Sequence, residues 1–193
     1  MMDSLQNLLN SRMPKTGKTL FIAIDGRGGS GKSTLAKQLA HRLQAELVAT
    51  DDFASWDNPL EWWPLVIERV FEPIKHGAQV LNYPRSKWWP THNPEPALNQ
   101  PVTKIMILKG VSALRKEFRE YISISIFVDT PKELCSKRGI ERDIKSNTLK
   151  SESEIRAEWE RGTINEDAYI ARDQPRAYAD IVIDGTEAKS QLS

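Results

Sequence analysis

The stretch Ile22-Ala23-Ile24-Asp25-Gly26-Arg27-Gly28-Gly29-Ser30-Gly31-Lys32-Ser33-Thr34 constrains this chain more than any other. An apolar run from Leu20 to Ile24 ends in a glycine-dense loop. The loop runs directly into a helical pattern carried by Leu35, Leu39 and Leu43. From Gly26 to Ser33 the residues fit G-x-x-x-x-G-K-[ST], in the strand–loop–helix setting that this motif requires. Glycines let successive backbone N–H groups turn inward around an anion where side chains would block it. The following helix adds the positive end of its dipole, and Lys32 adds a full charge directed at terminal phosphates. Ser33 offers a hydroxyl to Mg²⁺. A glycine-rich turn holding a chance lysine would not need this context. The loop, with Thr34 completing the first helical turn, predicts a nucleoside triphosphate site.

Length and charge narrow the setting. The chain has 193 residues, enough for one sizeable core and short for two domains. Lys and Arg number 27 against 26 Asp and Glu, a net charge of +1 that gives no electrostatic reason to expect nucleic acid or an anionic membrane as partner. Cys135 is the only cysteine, which excludes an intramolecular disulfide and a cysteine-built zinc site. The N-terminal residues carry no apolar run of signal-peptide or membrane-spanning length. A cytoplasmic protein is the expectation.

Along the chain, Leu5, Leu8 and Leu9 predict a short leading helix over 3–13, with strand one at Leu20–Asp25 and a helix to about Leu43. Residues 46–50 read as a second strand ending at Asp51-Asp52. Asn58-Pro59-Leu60-Glu61 has the chemistry of a capped helix start, continued by an apolar face of Trp63, Val66, Ile67, Val70 and Ile74. Pro73 would bend its end and Gly77 stop it. Residues 79–83 are extended, and 84–101 read as an irregular, proline-rich active-site loop. Residues 104–108 and 122–128 read as strands separated by a short helix over 112–118. Thr130-Pro131-Lys132-Glu133 caps a helix to about Asp143, residues 145–153 are polar, Ser151 and Glu154 cap a further helix, and 180–184 form the last strand. Strands alternating with helices predict an α/β, doubly wound, mostly parallel five-stranded sheet in a single domain over 1–193.

In such a sheet ligands bind beyond the carboxyl ends of the strands. Three ends matter: Asp25-Gly26, Asp51-Asp52 and Lys109-Gly110. A carboxylate at the second end could accept a proton from a hydroxyl as phosphoryl transfer proceeds, although both aspartates could equally cap a turn. Arg138 and Arg142 stand one helical turn apart and suit the charge that spreads over a transferring phosphoryl group, or they pair with Glu141 and Asp143. Trp56, Trp62, Trp63, Trp88 and Trp89 crowd between the second and third strands, where they pack a core or cover a flat substrate, with Trp63 the leading core residue. Tyr83 and Arg85 are polar candidates for that pocket. His41, His76 and His92 lack metal spacing.

These residues resemble the uridine kinase and phosphoribulokinase branch of P-loop kinases. The likeness rests on the ordered set IAIDGRGGSGKSTLA, TDDF, VFEPIKHG with the YPR region, ILKG, IFVD, RGIERD and YADIVIDG, over about residues 20–185. It implies ATP as phosphoryl donor, Mg²⁺, a small-molecule hydroxyl acceptor of nucleoside or sugar type, a helical lid over about 138–165 and an acceptor-side insertion over about 53–100. Asp51 would be the general base and, with Ser33, a magnesium contact; Lys32, Arg138 and Arg142 would act on the transferring group. Asp52, Phe53, Tyr83, Arg85, Trp88, Glu166 and Tyr169 would lie on the acceptor or lid side. A homodimer is an assembly state that the sequence does not test. Three departures stand out. Lys109 precedes Gly110 where the family usually carries an acidic residue, reversing the charge beside a divalent cation by two units. The family's paired arginines are reduced to Arg138-Gly139, and Lys87 stands where some relatives are acidic. The competing reading is therefore a nucleotide-binding sensor that has lost catalysis.

Overall fold

The computed structural model describes residues 1–55, 58–59, 61–85, 97–146 and 150–187. Its centre is β1 (Leu20–Asp25), in which all six residues are buried. A strand buried on both faces cannot alternate polar and apolar residues, which is why its sequence reads as a continuous apolar run. β1 pairs in parallel with β5 (Ile105–Lys109) on one side and β6 (Ile124–Asp129) on the other. β2 (Glu46–Ala49) extends the sheet beyond β5, and β7 (Ile181–Asp184) extends it beyond β6. The order is β2-β5-β1-β6-β7, all parallel. This is the α/β doubly wound sheet expected from the sequence.

One core lies on each face. Alternate residues of β1 divide between them: Leu20, Ile22 and Ile24 meet α2 (Lys32–Leu43) and Leu5 of α1 (Met2–Ser11), while Phe21 and Ala23 meet the layer built from residues 62–83 and 113–122. The second layer departs from the sequence reading. Helical backbone begins at Trp63, not at Pro59, and passes from α3 (Trp63–Val66) through a π-helical turn (Ile67–Phe71) into α4 (Glu72–Lys75). Trp62, Val66, Val70 and Ile74 are buried at steps of four, a spacing that drifts around an ideal α-helix. The widened turn restores the phase, and Pro73 allows it because it brings no N–H to the carbonyl of Arg69. Among the described residues Trp62 is therefore the core tryptophan, while Trp63 is half-buried and donates its indole N–H to Glu61 Oε2 at 3.2 Å. Asn58 Oδ1 accepts from the Glu61 N–H at 2.9 Å, but it closes a turn there and caps no helix.

Two more corrections belong to loops. Residues 98–101 are not irregular: β4 (Leu98–Pro101) pairs antiparallel with β3 (Val80–Tyr83), with Pro101 at the outer end. The helix expected over 112–118 is reduced to a 3₁₀ turn at Lys116–Phe118. Ser112 sits at φ 63° and the Leu114 N–H is drawn to Asp25 Oδ2 at 2.8 Å, so tertiary hydrogen bonding overrides helical continuity. Beyond β6, α5 (Lys132–Ser146) precedes α6 (Glu152–Asp173), whose Ser151/Glu154 capping box forms as read. Thr130 does not cap α5; its hydroxyl donates to the Ser30 carbonyl at 3.0 Å. Short α7 (Pro175–Tyr178) leads to β7.

Candidate active site

The carboxyl ends of β1, β2 and β5 lie side by side, so the chain segments beyond them converge. After β1 the phosphate loop turns through Gly29 (φ 79°) and Gly31 (φ 101°), left-handed conformations that L side chains rarely adopt. At Gly29 a Cβ would also lie 2.2 Å from the Cys135 carbonyl oxygen. The loop is thus cradled by α5 and opens into α2, whose first turn carries Lys32, Ser33 and Thr34. Ser33 and Thr34 are exposed, whereas Lys32 is buried and donates to the Arg27 carbonyl at 2.9 Å. Burial pushes the Lys32 ammonium down from its ordinary value, and the charges of Glu166, Asp51 and Asp25 oppose that shift.

Asp25 closes β1 with its carboxylate buried beneath the loop. It accepts from the Gly26 N–H at 2.6 Å, the Leu114 N–H at 2.8 Å and the Tyr169 hydroxyl at 2.5 Å. Burial raises its pKa to about 6, against the pull of those hydrogen bonds and Lys32. The sequence reading marked this strand end without assigning Asp25 a role. Its position, last in a buried strand and first before the glycines, was the available signal.

Asp51 and Asp52 follow β2 on a 3₁₀ turn (Thr50–Asp52) and divide sharply. The Asp51 side chain is 58% exposed, and its Oδ2 lies 2.9 Å from Lys109 Nζ. Asp52 is the enclosed partner: Arg85 Nε lies 3.7 Å away, the Tyr83 phenol stands beside it, and burial raises its pKa. Of the two, Asp51 is the more open to an incoming molecule. Phe53 and Tyr83 are both buried, with ring centroids 4.8 Å apart, so their rings form the wall behind Asp52. The register explains Lys109: it pairs with Ala49 on one side and Ile24 on the other, which sets it between the ends of β2 and β1. At the next residue, a Cβ on Gly110 would lie 1.7 Å from Thr50 Oγ1, so this turn packs without room for a side chain.

The remaining expected residues separate into groups. Arg138 donates to the carbonyls of Gly185 at 2.8 Å and Thr186 at 3.0 Å, tying α5 to the end of β7. Arg142 pairs with Asp143 at 2.7 Å and lies over the Trp159 ring. Glu166, expected on the lid or acceptor side, sits on α6 and accepts from the Gly28 N–H of the phosphate loop at 2.9 Å. Tyr169 is buried against Asp25 behind the same loop. Trp88, with Trp56, Trp89, Lys87 and His92, lies outside the described residues. His41 and His76 are exposed. Trp159, Asp167 and Lys132 were missed. Ile155, Trp159, Glu166 and Tyr169 recur at spacings that share one face of a helix, and that was the readable signal.

The donor set suits a triphosphate with a hard cation. Glycine N–H groups, a buried ammonium and an exposed hydroxyl converge where a helix begins. Among the described residues no three His, Cys, Asp or Glu side chains gather as a metal cage. Mg²⁺ in phosphoryl-transfer sites needs none, since one or two protein oxygens, phosphate and water complete its shell. Among the described residues no helix is long and apolar enough to cross a membrane.

Known proteins resemble this chain in sequence and in fold. The model of the Phosphoribulokinase / Uridine kinase family matches residues 66–190. That span begins after the phosphate loop, whose assignment therefore rests on its own residues. The uridine kinase of Pasteurella multocida (strain Pm70) is 26% identical over 190 residues, covering 87% of each chain. The uridine kinase of Lactobacillus johnsonii (strain CNCM I-12250 / La1 / NCC 533) is 25% identical over 195 residues, covering 86% of each. A solved structure of a possible uridine kinase from Bacillus stearothermophilus shares the fold at TM-score 0.61 and 21% identity, over 94% of this chain and 96% of that one.

Proposed function

The chain belongs to the phosphoribulokinase/uridine kinase family, and on that premise we propose that it transfers the γ-phosphoryl group of ATP to a hydroxyl of a nucleoside-like or sugar-like small molecule. The observation that carries this reading is the exposed carboxylate of Asp51, presented at the end of β2 next to the ends of β1 and β5. Asp51 is the base for the acceptor hydroxyl. Asp52, held by Arg85 and enclosed beside Tyr83, positions the turn. The loop from Gly26 to Ser33 receives the phosphates, with Lys32 at their terminal end. Ser33 and Asp51 would hold Mg²⁺, which supplies charge neutralisation on the phosphate oxygens. Residues 138–165 serve as lid and 53–100 as the acceptor-side insertion, with Arg138 and Arg142 reaching the transferring group once the lid rearranges.

The test is acceptor-dependent ADP release measured across nucleosides, sugars and related alcohols. Asp51→Asn should lower kcat by about 10²–10⁴-fold while ATP binding persists, the usual contribution of a positioned general base. Lys32→Ala should abolish both. Turnover indifferent to these two changes would overturn the assignment.

One observation favours a second reading, a nucleotide sensor with impaired catalysis. Lys109 Nζ sits 2.9 Å from the proposed base, so the acceptor hydroxyl and Mg²⁺ both compete with an ammonium for Asp51. Lys109→Glu decides between the two. A variant that binds Mg·ATP more tightly and turns over at least tenfold faster supports the sensor reading. A variant that loses turnover shows that Lys109 serves the reaction.

A further inference from the structure

The phosphate loop already holds an anion, and the protein supplies it. Glu166 Oε1 accepts from the Gly28 N–H at 2.9 Å, and Glu166 Oε2 lies 3.6 Å from Arg27 Nη1. Glu166 is also the foremost of the charges that oppose the downward shift burial imposes on Lys32. The neighbouring residue completes a clasp: Asp167 pairs with Arg27 Nη2 and with Lys132 Nζ, each at 2.6 Å. The contact is also steric. Trp159, two turns earlier on α6, lies so close that a Cβ on Gly28 would come within 3.1 Å of its ring, and a Cβ on Gly139 within 1.9 Å. The indole N–H is fixed on Asp143 Oδ2 at 2.8 Å. One face of α6 therefore presents an apolar ring and a carboxylate to the loop.

Inward-turned N–H groups beside a buried ammonium are costly without a negative partner. A charge-assisted hydrogen bond from a carboxylate meets that need in the resting protein. A triphosphate would need the same N–H group and the same charge.

We propose that Glu166 is an internal stand-in for phosphate, whose carboxylate fills the anion cradle in the resting protein and must leave, with the Trp159 face of α6, before a triphosphate tail enters. The inference rests on the reading of this loop as the triphosphate site and adds a competitor to it. Affinity for nucleotide is thereby set partly by a residue that acts against binding.

The experiment uses the full chain and two probes, ATP and inorganic tripolyphosphate, which shares the phosphates but lacks the base. Calorimetric affinities are compared for the native chain, Glu166→Gln, Glu166→Ala and a control, Glu152→Gln, which removes an exposed carboxylate from the far end of the same helix. Both Glu166 variants should bind both probes at least about tenfold more tightly, on the scale of one lost charge-assisted hydrogen bond. The control should be unchanged. If the alanine variant fails to fold, the isosteric glutamine variant carries the comparison. A second readout is hydrogen exchange: in the native chain tripolyphosphate should speed exchange over residues 155–167. Equal affinities with unchanged protection overturn this inference and leave the kinase reading standing. Weaker binding by the variants, with or without Mg²⁺, makes Glu166 a ligand contact and also overturns it. Binding by the variants alone supports it, and no binding by any chain sinks both readings.

Discussion

At the scale of single residues, Asp25 carries the clearest pH signature. Its carboxyl is raised from 3.8 to about 6 by burial beneath the loop, so the folded chain binds this proton more readily than the unfolded one. Stability contributed by this group is therefore lowest above pH 6 and improves as pH falls through 6 toward 3.8, a span of about 3 kcal/mol. Asp25→Asn, neutral throughout, provides the reference. The stability difference between native chain and variant in urea should shift toward the native chain by about 1 kcal/mol between pH 7 and pH 5. A flat difference would mean that the carboxylate ionises in the fold as it does in water. Gly29 gives a second prediction. Gly29→Ala places a methyl group 2.2 Å from a backbone oxygen at a left-handed φ. It should abolish ATP binding in calorimetry while far-ultraviolet circular dichroism stays native. Both residues belong to the stretch most legible in the sequence, yet only the glycine declares its own geometry; the role of Asp25 shows once Leu114 and Tyr169 are brought beside it. Asp52 was harder to read: only its neighbours Tyr83 and Arg85, about thirty positions away and brought in by β3, separate it from Asp51.

At the scale of elements, the seam between α5 and α6 is the joint most exposed to mutation. Gly139→Ala puts a methyl group within 1.9 Å of the Trp159 ring, which the Asp143 hydrogen bond holds in place. Overpacking of this kind costs about 1–3 kcal/mol. Urea unfolding should report that loss, and near-ultraviolet dichroism should show the indole leaving its environment. The seam was invisible from the sequence because Gly139 read as a gap in an arginine motif, and its partner lies twenty positions away. The same limit applies to β4, where Leu98-Asn99-Gln100-Pro101 has neither alternation nor β-branched residues. What makes it a strand is β3 alongside, together with Gln100, whose amide donates to Glu46 Oε2 at 2.8 Å and to the Leu47 carbonyl at 3.1 Å. By contrast β1, α2 and the Ser151–Glu154 cap were legible because their signals are local. Apolar runs, glycine dihedrals and capping pairs need no distant partner.

At the scale of the whole molecule, the leading helix is part of the fold and not an appendage. Leu5 is fully buried against the core that β1 shares with α2. Arg12 reaches Asp180 at 2.6 Å, and the Ser123 hydroxyl donates to the Met13 carbonyl at 3.0 Å, so the segment is fastened to the starts of β6 and β7. Leu5→Ala should cost about 2–5 kcal/mol in urea unfolding and leave the ATP affinity of the folded fraction unaltered, since Leu5 contributes no group to the loop. An unchanged unfolding midpoint would show α1 to be dispensable.

The Tyr169–Asp25 bond gives α6 a fulcrum. Residue 169 is tethered behind the loop, while Trp159, held in turn by Asp143, lies ten residues nearer the start of the helix, about 15 Å along the axis at the ordinary helical rise. Once the indole leaves Asp143, a slight tilt about Tyr169 would become a larger displacement at Trp159 and would lift Glu166, one turn from the fulcrum, off the Gly28 N–H. Breaking a single hydroxyl contact, as in Tyr169→Phe, would therefore alter the whole arc.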